Sequence, residues 1–329
     1  DAADVLICTE PAVLCGAVRR AFPDRPALGY FANPLASYLP AHAAQAWLAE
    51  FRDMVQKGGP GAEPAAAPGG RAAPFLAVAS TRYLAEQMRV QAGVPVLTAR
   101  PLATYLGPPR GFPRRRAGEV LVLRVPSVFW QSACIFNNLV QLNEGALAEA
   151  HAAAGGRGLP VPGLKFVASE EAKDGASEAF AGFEASLTFP YDVSQMRLYE
   201  FYALGIPLLV PAREQLPSYI YRGLTTIDDF NHALPGALEA AKGGARAGRH
   251  LDYDPYRRDD WYAVAAWSSL THWFTLPHLV YFSSATDALL QLVREDLRPV
   301  SAGMRRRQAR DLVRAAAFWR AGLASLGFG

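Results

Sequence analysis

The segment from Phe189 to Pro211 combines an acidic loop with the start of a helix. An apolar strand is expected to end at Phe189, and the loop after it contains Asp192 before a helix predicted to begin near Ser194, a residue type favoured at N-caps. The first backbone N–H groups of a helix have no partner within the helix, and the helix dipole adds positive potential there. The sequence therefore predicts a binding site for an anion such as a diphosphate.

A second acid, Glu200, follows eight residues after Asp192, about two turns into the same helix. An ionised carboxylate accepts hydrogen bonds from two hydroxyls at once, so two such acids can bracket an elongated polyhydroxy ligand. Ligands of open parallel sheets bind at the carboxyl ends of the strands, which is where this helix is expected to begin. The two acids thus indicate a binding site at that edge.

Short apolar strands alternate with helices along most of the chain, which predicts βαβ units and doubly wound parallel sheets. The predicted strands are 4–9, 27–31, 75–80, 94–99, 119–125, 164–168, 185–189, 206–210 and 279–282. The predicted helices are 12–22, 43–57, 81–92, 129–154, 172–183, 195–204, 285–295 and 302–326. The expected fold class is α/β.

The chain is long enough to predict two domains, because 329 residues exceed the size at which one core usually stops growing. The linker candidate is 108–118, rich in proline and arginine. We expect a first domain over 1–110 with a flexible Gly/Ala/Pro loop at 58–74, a second domain over 118–300 and a closing helix over 301–329. Since a strand pattern begins by Asp4, the first domain is expected to be truncated.

Composition predicts a folded, soluble protein, with 51% apolar and 19% charged residues. A net charge of only +3 argues against a protein that coats nucleic acid. No apolar run reaches the ~18 to 20 residues that span a bilayer. The arginines of the closing helix are interpreted as a solvated face, with phosphate or membrane contact as the alternative. They are Arg305, Arg306, Arg307, Arg310 and Arg314.

Histidines and cysteines give no metal or disulfide pattern. His272 and His278 are six residues apart, which fits no helical pair of metal ligands, so both are interpreted as structural. Cys8, Cys15 and Cys134 are interpreted as buried thiols, and their odd count is consistent with a reducing, cytoplasmic compartment. The fingerprints of dinucleotide-binding, P-loop, α/β-hydrolase and zinc-protease sites are also missing.

The pattern Asp192-x7-Glu200, continued by FYALGIPLLVP, resembles the E-x7-E element of GT-B glycosyltransferases. The similarity is most specific at Tyr199, Glu200, Ala203, Gly205, Ile206 and Pro207, and the rest of the chain resembles such enzymes only in its order of elements. The resemblance implies two Rossmann-like domains facing a cleft, a donor nucleotide sugar held by the second, and a closing helix that packs back toward the first.

The resemblance also implies roles for individual residues. Glu200 would hold the donor ribose, and a cation at Arg124 or Arg197 would neutralise the diphosphate. Sugar and phosphates would be contacted by Asp192 and by the backbone of Val193, Ser194 and Gln195.

The implied activity is transfer of a sugar from a nucleotide sugar to an acceptor, with no obligatory metal or other cofactor and a retaining outcome favoured. A retaining enzyme of this kind needs no protein nucleophile, whereas an inverting one needs a base, for which Glu10 and His42 are the candidates. Two alternatives stay open: a catalytically inactive GT-B-like scaffold, favoured by Asp192 standing where the family has Glu, and a nucleotide-sugar epimerase.

Overall fold

The computed structural model describes residues 4–37, 39–59, 73–106, 116–123, 164–168, 180–220, 232–243, 248–255, 257 and 259–328, with isolated positions between 138 and 153. The strands are β1 (Leu6–Cys8), β2 (Ala27–Phe31), β3 (Phe75–Ala79), β4 (Leu97–Thr98), β5 (Arg116–Val122), β6 (Lys165–Ala168), β7 (Phe183–Leu187), β8 (Leu208–Pro211) and β9 (Val280–Phe282). The helices of the described ranges are α1 (Leu14–Ala21), α2 (Ala41–Gly58), α3 (Arg82–Ala92), α4 (Met196–Leu204), α5 (Leu216–Ile220), α6 (Ala237–Gly243), α7 (Trp261–Ser268), α8 (His272–Thr275), α9 (Ala285–Arg294) and α10 (Arg298–Ser325). Two 3₁₀ turns cover Thr104–Leu106 and Arg249–Asp252.

The described strands form two parallel sheets, ordered β1-β2-β3-β4 and β6-β5-β7-β8-β9. Strands such as Phe75–Ala79 and Leu208–Pro211 are buried at every position. Continuous apolar runs of this kind are typical of parallel strands covered on both faces. The predicted α/β class with parallel, Rossmann-like sheets is confirmed.

The second sheet has the doubly wound strand order 2-1-3-4-5, counted from β5. Its strand order reverses between β5 and β7, and the carboxyl ends at such a reversal leave a crevice in which ligands of this fold class bind. Because β7 ends at Leu187 and α4 begins at Met196, residues 188–195 leave the sheet next to this crevice.

Helix α10 connects the two sheets. Near its start, Ser301 Oγ donates a 2.5 Å hydrogen bond to the carbonyl oxygen of Gly205, at the end of α4. Near its end, Trp319 packs edge-on against Tyr30 of β2, with ring centroids 5.9 Å apart. A helix of 28 residues is about 42 Å long, enough to reach from one sheet to the other.

A second set of contacts joins the two halves through α3. Arg89 donates a 2.8 Å hydrogen bond to the carbonyl oxygen of Ala241 in α6, and Tyr83 packs edge-on against Trp267 of α7. One continuous apolar core therefore runs from the first sheet into the second. Throughout the described ranges, every helix is too short or too polar to cross a lipid bilayer.

Several predicted boundaries differ from the structure. β4 is only two residues long, and β7 begins at Phe183, inside the helix predicted over 172–183. Helix α10 begins earlier than 302 because Pro299 lies in its first turn, where a missing N–H costs no helical hydrogen bond. Helices α5 to α8 were not predicted. Most of the predicted loop 58–74, linker 108–118 and helix 129–154 lies outside the described residues.

The interpretation of all cysteines as thiols is wrong for two of them. Cys8 and Cys15 form a disulfide, with Cα atoms 5.5 Å apart, because the turn between β1 and α1 brings the first turn of the helix back to the end of the strand. Both are buried as predicted, and this bonded pair gives no support to the inferred reducing compartment. Cys134 lies outside the described residues.

Replacing Gly205 with alanine tests the contact between α4 and α10. Gly205 has φ +66°, and an added Cβ would lie 2.9 Å from Arg305 Cγ and 3.2 Å from Ser301 Oγ. We expect urea denaturation to show a loss of about 1–2 kcal/mol in unfolding free energy from the left-handed conformation and a further ~1–3 kcal/mol from overpacking. Gly236→Ala is the matched control, with φ +72° but no atom within 4 Å of the added Cβ. Equal losses of unfolding free energy in the two variants would show that α10 accommodates the added methyl group without destabilising the fold.

Candidate functional site

The segment between β7 and α4 carries four of the predicted site residues, Asp192 to Gln195. Val193 and Gln195 are buried, Asp192 and Ser194 are half-buried, and Tyr191 is exposed at the surface. Helix α4 begins at Met196 with Gln195 at its N-cap position, so the predicted cap at Ser194 is wrong by one residue. The error has a local cause. The Oγ of Ser194 lies 3.5 Å from the hydroxyl of Tyr199 and does not accept from an N–H group of the first turn.

Hydrogen bonds within the loop hold its shape. Asp192 Oδ1 accepts a 2.6 Å hydrogen bond from the N–H of Val193, and Trp273 Nε1 donates to the carbonyl oxygen of Asp192 at 3.0 Å. With its amide oxygen turned toward the loop, Gln195 accepts from the N–H groups of Tyr191 (2.6 Å) and Asp192 (3.2 Å). The turn is therefore formed by the chain itself, and it holds the carboxylate of Asp192 at the mouth of α4.

Glu200 lies just over one turn along α4 and is only 9% exposed. Arg197 Nη1 donates a 2.7 Å hydrogen bond to Oε2, and the hydroxyl of Tyr105 donates a 2.5 Å hydrogen bond to Oε1. A carboxylate this far from water must be balanced by charge-assisted hydrogen bonds. One of these comes from its own helix, and the other comes from the 3₁₀ turn between the two sheets.

The electrostatic influence of these charges extends to the neighbouring tyrosines. Burial, together with the hydrogen bond to Glu200 and its negative charge, raises the pKa of Tyr105 to about 12, so the phenol stays protonated and donates. Burial and then the charge of Asp192 raise the pKa of Tyr191, while Arg197 opposes the rise. Arg197 also stacks over the ring of Phe180 at 5.0 Å, and 44% of its side chain is exposed. Its guanidinium is thus held in place yet open to solvent.

The structure brings six of the seven predicted site residues together at the start of α4. These are Asp192, Val193, Ser194, Gln195, Arg197 and Glu200. The seventh, Arg124, lies outside the described residues. The ligand roles assigned to all seven stay predictions. In the described part of the chain, no cluster of three or more His, Cys, Asp or Glu side chains forms a metal site.

The two candidate bases for an inverting reaction lie in the first half of the chain. Glu10 follows β1 at the carboxyl edge of the first sheet, where its Oε1 accepts a 2.8 Å hydrogen bond from the N–H of Ala32 after β2. His42 is exposed on α2. A role as base stays a prediction for both.

Sequence reasoning missed the residues that support the site from elsewhere in the chain. Tyr105 and Phe180 belong to no motif, and Trp273 is sequence-distant from the loop that it contacts. His272 was interpreted as structural, and its Nδ1 lies 2.7 Å from the hydroxyl of Tyr199 in α4. No spacing rule signals such contacts, because they depend on how the two sheets pack.

No known protein-family model matches this chain, and no curated protein has significant sequence similarity to it. Its activity must therefore be inferred from the site.

The pair of His272 and Tyr199 predicts a pH dependence of stability. Burial, then the positive charge of Arg100, lowers the pKa of His272 to about 3, so the folded ring is neutral at pH 7. The unfolded histidine binds its proton near its ordinary pKa of 6.5, so unfolding gains favour as the pH falls from about 6.5 toward 3. We expect this group to remove about 2 kcal/mol of unfolding free energy between about pH 7.5 and 5.

Urea unfolding at both pH values measures the difference. His272→Gln should flatten the pH slope, whereas His42→Gln, at an exposed position, controls for loss of a histidine. An unchanged slope in His272→Gln would contradict the assignment.

Proposed function

We propose that the chain binds a nucleotide sugar at the start of α4 and transfers the sugar to an acceptor as a GT-B glycosyltransferase. The observation that carries the proposal is the nearly buried carboxylate of Glu200, on the helix that follows a strand at the reversal point of the second sheet, beside the partly exposed Arg197. Ligands of this fold class bind at that reversal point.

Glu200 suits the ribose of the donor. Its two oxygens accept hydrogen bonds from adjacent hydroxyls, and the ribose offers two hydroxyls side by side. The hydroxyl of Tyr105 donates to Oε1, while the residue as a whole is 65% exposed. Because Tyr105 has solvent to move into, a ribose hydroxyl can replace it on the carboxylate without leaving a buried charge unpaired.

Arg197 and the N-terminus of α4 suit the diphosphate. The guanidinium lies in the first turn of a nine-residue helix, where the dipole also favours negative charge. As the sugar leaves, negative charge grows on the diphosphate, and fixed donors stabilise it without reorganising. Arg124, two residues after the end of β5 in sequence, is the second cation assigned to this step.

Asp192 is assigned to the sugar. Its carboxylate stands at the mouth of α4, where Oδ1 accepts a hydrogen bond from the N–H of Val193. A carboxylate accepts several hydrogen bonds at once, which suits sugar hydroxyls. In a retaining transfer these residues bind and orient the donor, and none of them has to form a covalent bond.

One observation favours a second candidate, a binding protein without turnover. Glu200 is paired with two donors of the chain itself, so its charge is balanced within the protein. Such a protein would bind the nucleotide part of the ligand but would neither hydrolyse nor transfer the sugar.

Calorimetric titration with UDP, GDP, ADP and TDP tests the site. We expect one of them to bind, and Glu200→Gln to weaken it about 10- to 100-fold, the range for a hydrogen bond to a charged group. Glu295→Gln, at an exposed acid that follows the last residue of α9, is the matched control and should bind as the native chain does. Binding of none of the four would remove the proposal. Binding without hydrolysis or transfer of any nucleotide sugar would favour the binding protein.

Tyr105→Phe tests whether the phenol and the ribose share Glu200. Removing the hydroxyl removes a competitor for Oε1, so we expect the same nucleotide to bind about 3- to 10-fold more tightly. Tyr262→Phe, at a 73% exposed tyrosine, controls for loss of a phenol. Weaker binding by Tyr105→Phe would mean that Tyr105 contacts the ligand directly, which contradicts the exchange.

A further inference from the structure

A second concave site lies between the two sheets. An open cavity of about 470 Å³ is lined by the carboxyl end of β4 and the residues that follow it, by α8 and by the middle of α10. The polar side chains on its wall are Thr98, Arg100, His272, Thr275, Arg307, Asp311 and Arg314. Cavities of this size hold small molecules in other proteins.

Positive charge dominates this cavity. Asp311 is the carboxylate of its lining, and it is paired with three arginines: Arg100 Nη2 at 3.0 Å, Arg307 Nε at 2.9 Å and Arg314 Nη1 at 3.9 Å. One negative charge against three positive charges leaves an excess of two. His272 also lines the cavity and adds no charge at pH 7, because burial and then Arg100 lower its pKa to about 3.

The deepest arginine is held in place by contacts within the chain. The side chain of Arg100 is 10% exposed, donates a 2.9 Å hydrogen bond to Gln308 Oε1 and stacks over the ring of Tyr202 at 5.3 Å. Gln308 is itself fixed by a 2.6 Å hydrogen bond to the carbonyl oxygen of Leu102. The arginines therefore increase in exposure from Arg100 through Arg307 (33%) to Arg314 (70%), which marks the mouth of the cavity.

Apolar residues form the rest of the wall. Phe318 of α10 and Leu276 after α8 line the cavity, and the hydroxyls of Thr98 and Thr275 add neutral polar groups. An inorganic ion contacts only the charged residues of such a cavity. An organic molecule that carries an anionic group contacts both the charged and the apolar residues.

We propose that this cavity binds a phosphorylated small molecule, with its phosphate on Arg100, Arg307 and Arg314 and its organic part against Phe318 and Leu276. A phosphomonoester carries a charge of about −1.5 to −2 at pH 7, which matches the excess of two positive charges. Planar guanidinium groups bind phosphate oxygens through paired N–H donors. Asp311 orients the arginines by pairing with each of them.

The site is separate from the assignment of Glu200 and does not depend on glycosyl transfer. Both sites nevertheless contact the same helix, since Tyr199 and Tyr202 of α4 contact His272 and Arg100 on the cavity side.

Isothermal titration of the full chain with glucose 6-phosphate, inorganic phosphate and glucose tests the proposal. We expect glucose 6-phosphate to bind most tightly, inorganic phosphate more weakly and glucose not at all. Equal binding of glucose and glucose 6-phosphate would overturn the phosphate assignment. Binding of inorganic phosphate that is as tight as that of glucose 6-phosphate would overturn the organic half of the proposal.

Two substitutions on α10 locate the binding. Arg307→Gln should weaken glucose 6-phosphate about 10-fold, and Arg314→Gln, at a more exposed position, about 3-fold. Arg320→Gln removes an exposed arginine further along the same helix and is the matched control. Because Arg314 and Arg320 are both surface residues, loss of folding does not confuse this comparison. Equal effects of Arg314→Gln and Arg320→Gln would reduce the binding to nonspecific charge attraction and overturn the proposal.

Glu200→Gln separates the two proposals. It should leave the affinity for glucose 6-phosphate unchanged while it weakens the nucleoside diphosphate. A parallel loss of both ligands would place glucose 6-phosphate in the α4 site and overturn the second site alone.

Discussion

The carboxylate of Glu200 is nearly out of reach of water, and its charge must be balanced by neighbouring donors. Arg197 supplies one from the preceding turn of α4, and Tyr105 supplies the other from the segment between the two sheets. The second contact exists only if that segment passes over α4. The need to pair this buried charge therefore holds the segment between the two sheets against α4, the helix at the reversal point of the second sheet. The candidate donor site is built around this contact.

The same helix is held from its other side by α10. Ser301 donates a hydrogen bond to the carbonyl oxygen of Gly205. Further along α10, the carboxylate of Asp311 forms ion pairs with Arg100, Arg307 and Arg314 at the cavity. Both candidate sites therefore depend on one rigid set of contacts in which α4 is shared. In the first site one arginine balances one carboxylate, whereas in the second three arginines surround one carboxylate. This difference in charge is why a hydroxyl-bearing pentose is assigned to one and a phosphate to the other.

Much of the fold and of the site was predictable because the signals are local. Apolar strands and helical spacing identify the βαβ units, and the loop from Asp192 to Gln195 is adjacent in sequence to the helix that carries Arg197 and Glu200. The errors also have physical causes. The N-cap moved to Gln195 because the Ser194 hydroxyl lies near Tyr199, and the disulfide was missed because a turn rather than a spacing rule joins Cys8 to Cys15. Helices α5 to α8 are short or uniformly apolar and lack a clear period.

The sequence by itself determined the class of fold, the parallel direction of the strands and the position of two acids at the start of one helix. Those properties follow from periodicity and from the order of elements, which act over a few residues. Only the tertiary structure decided that Tyr105 reaches Glu200, and that an arginine after β4 meets two arginines and an aspartate of α10 from more than 200 positions later. Contacts between residues so far apart depend on how two sheets and a long helix pack together, and no local pattern records that packing.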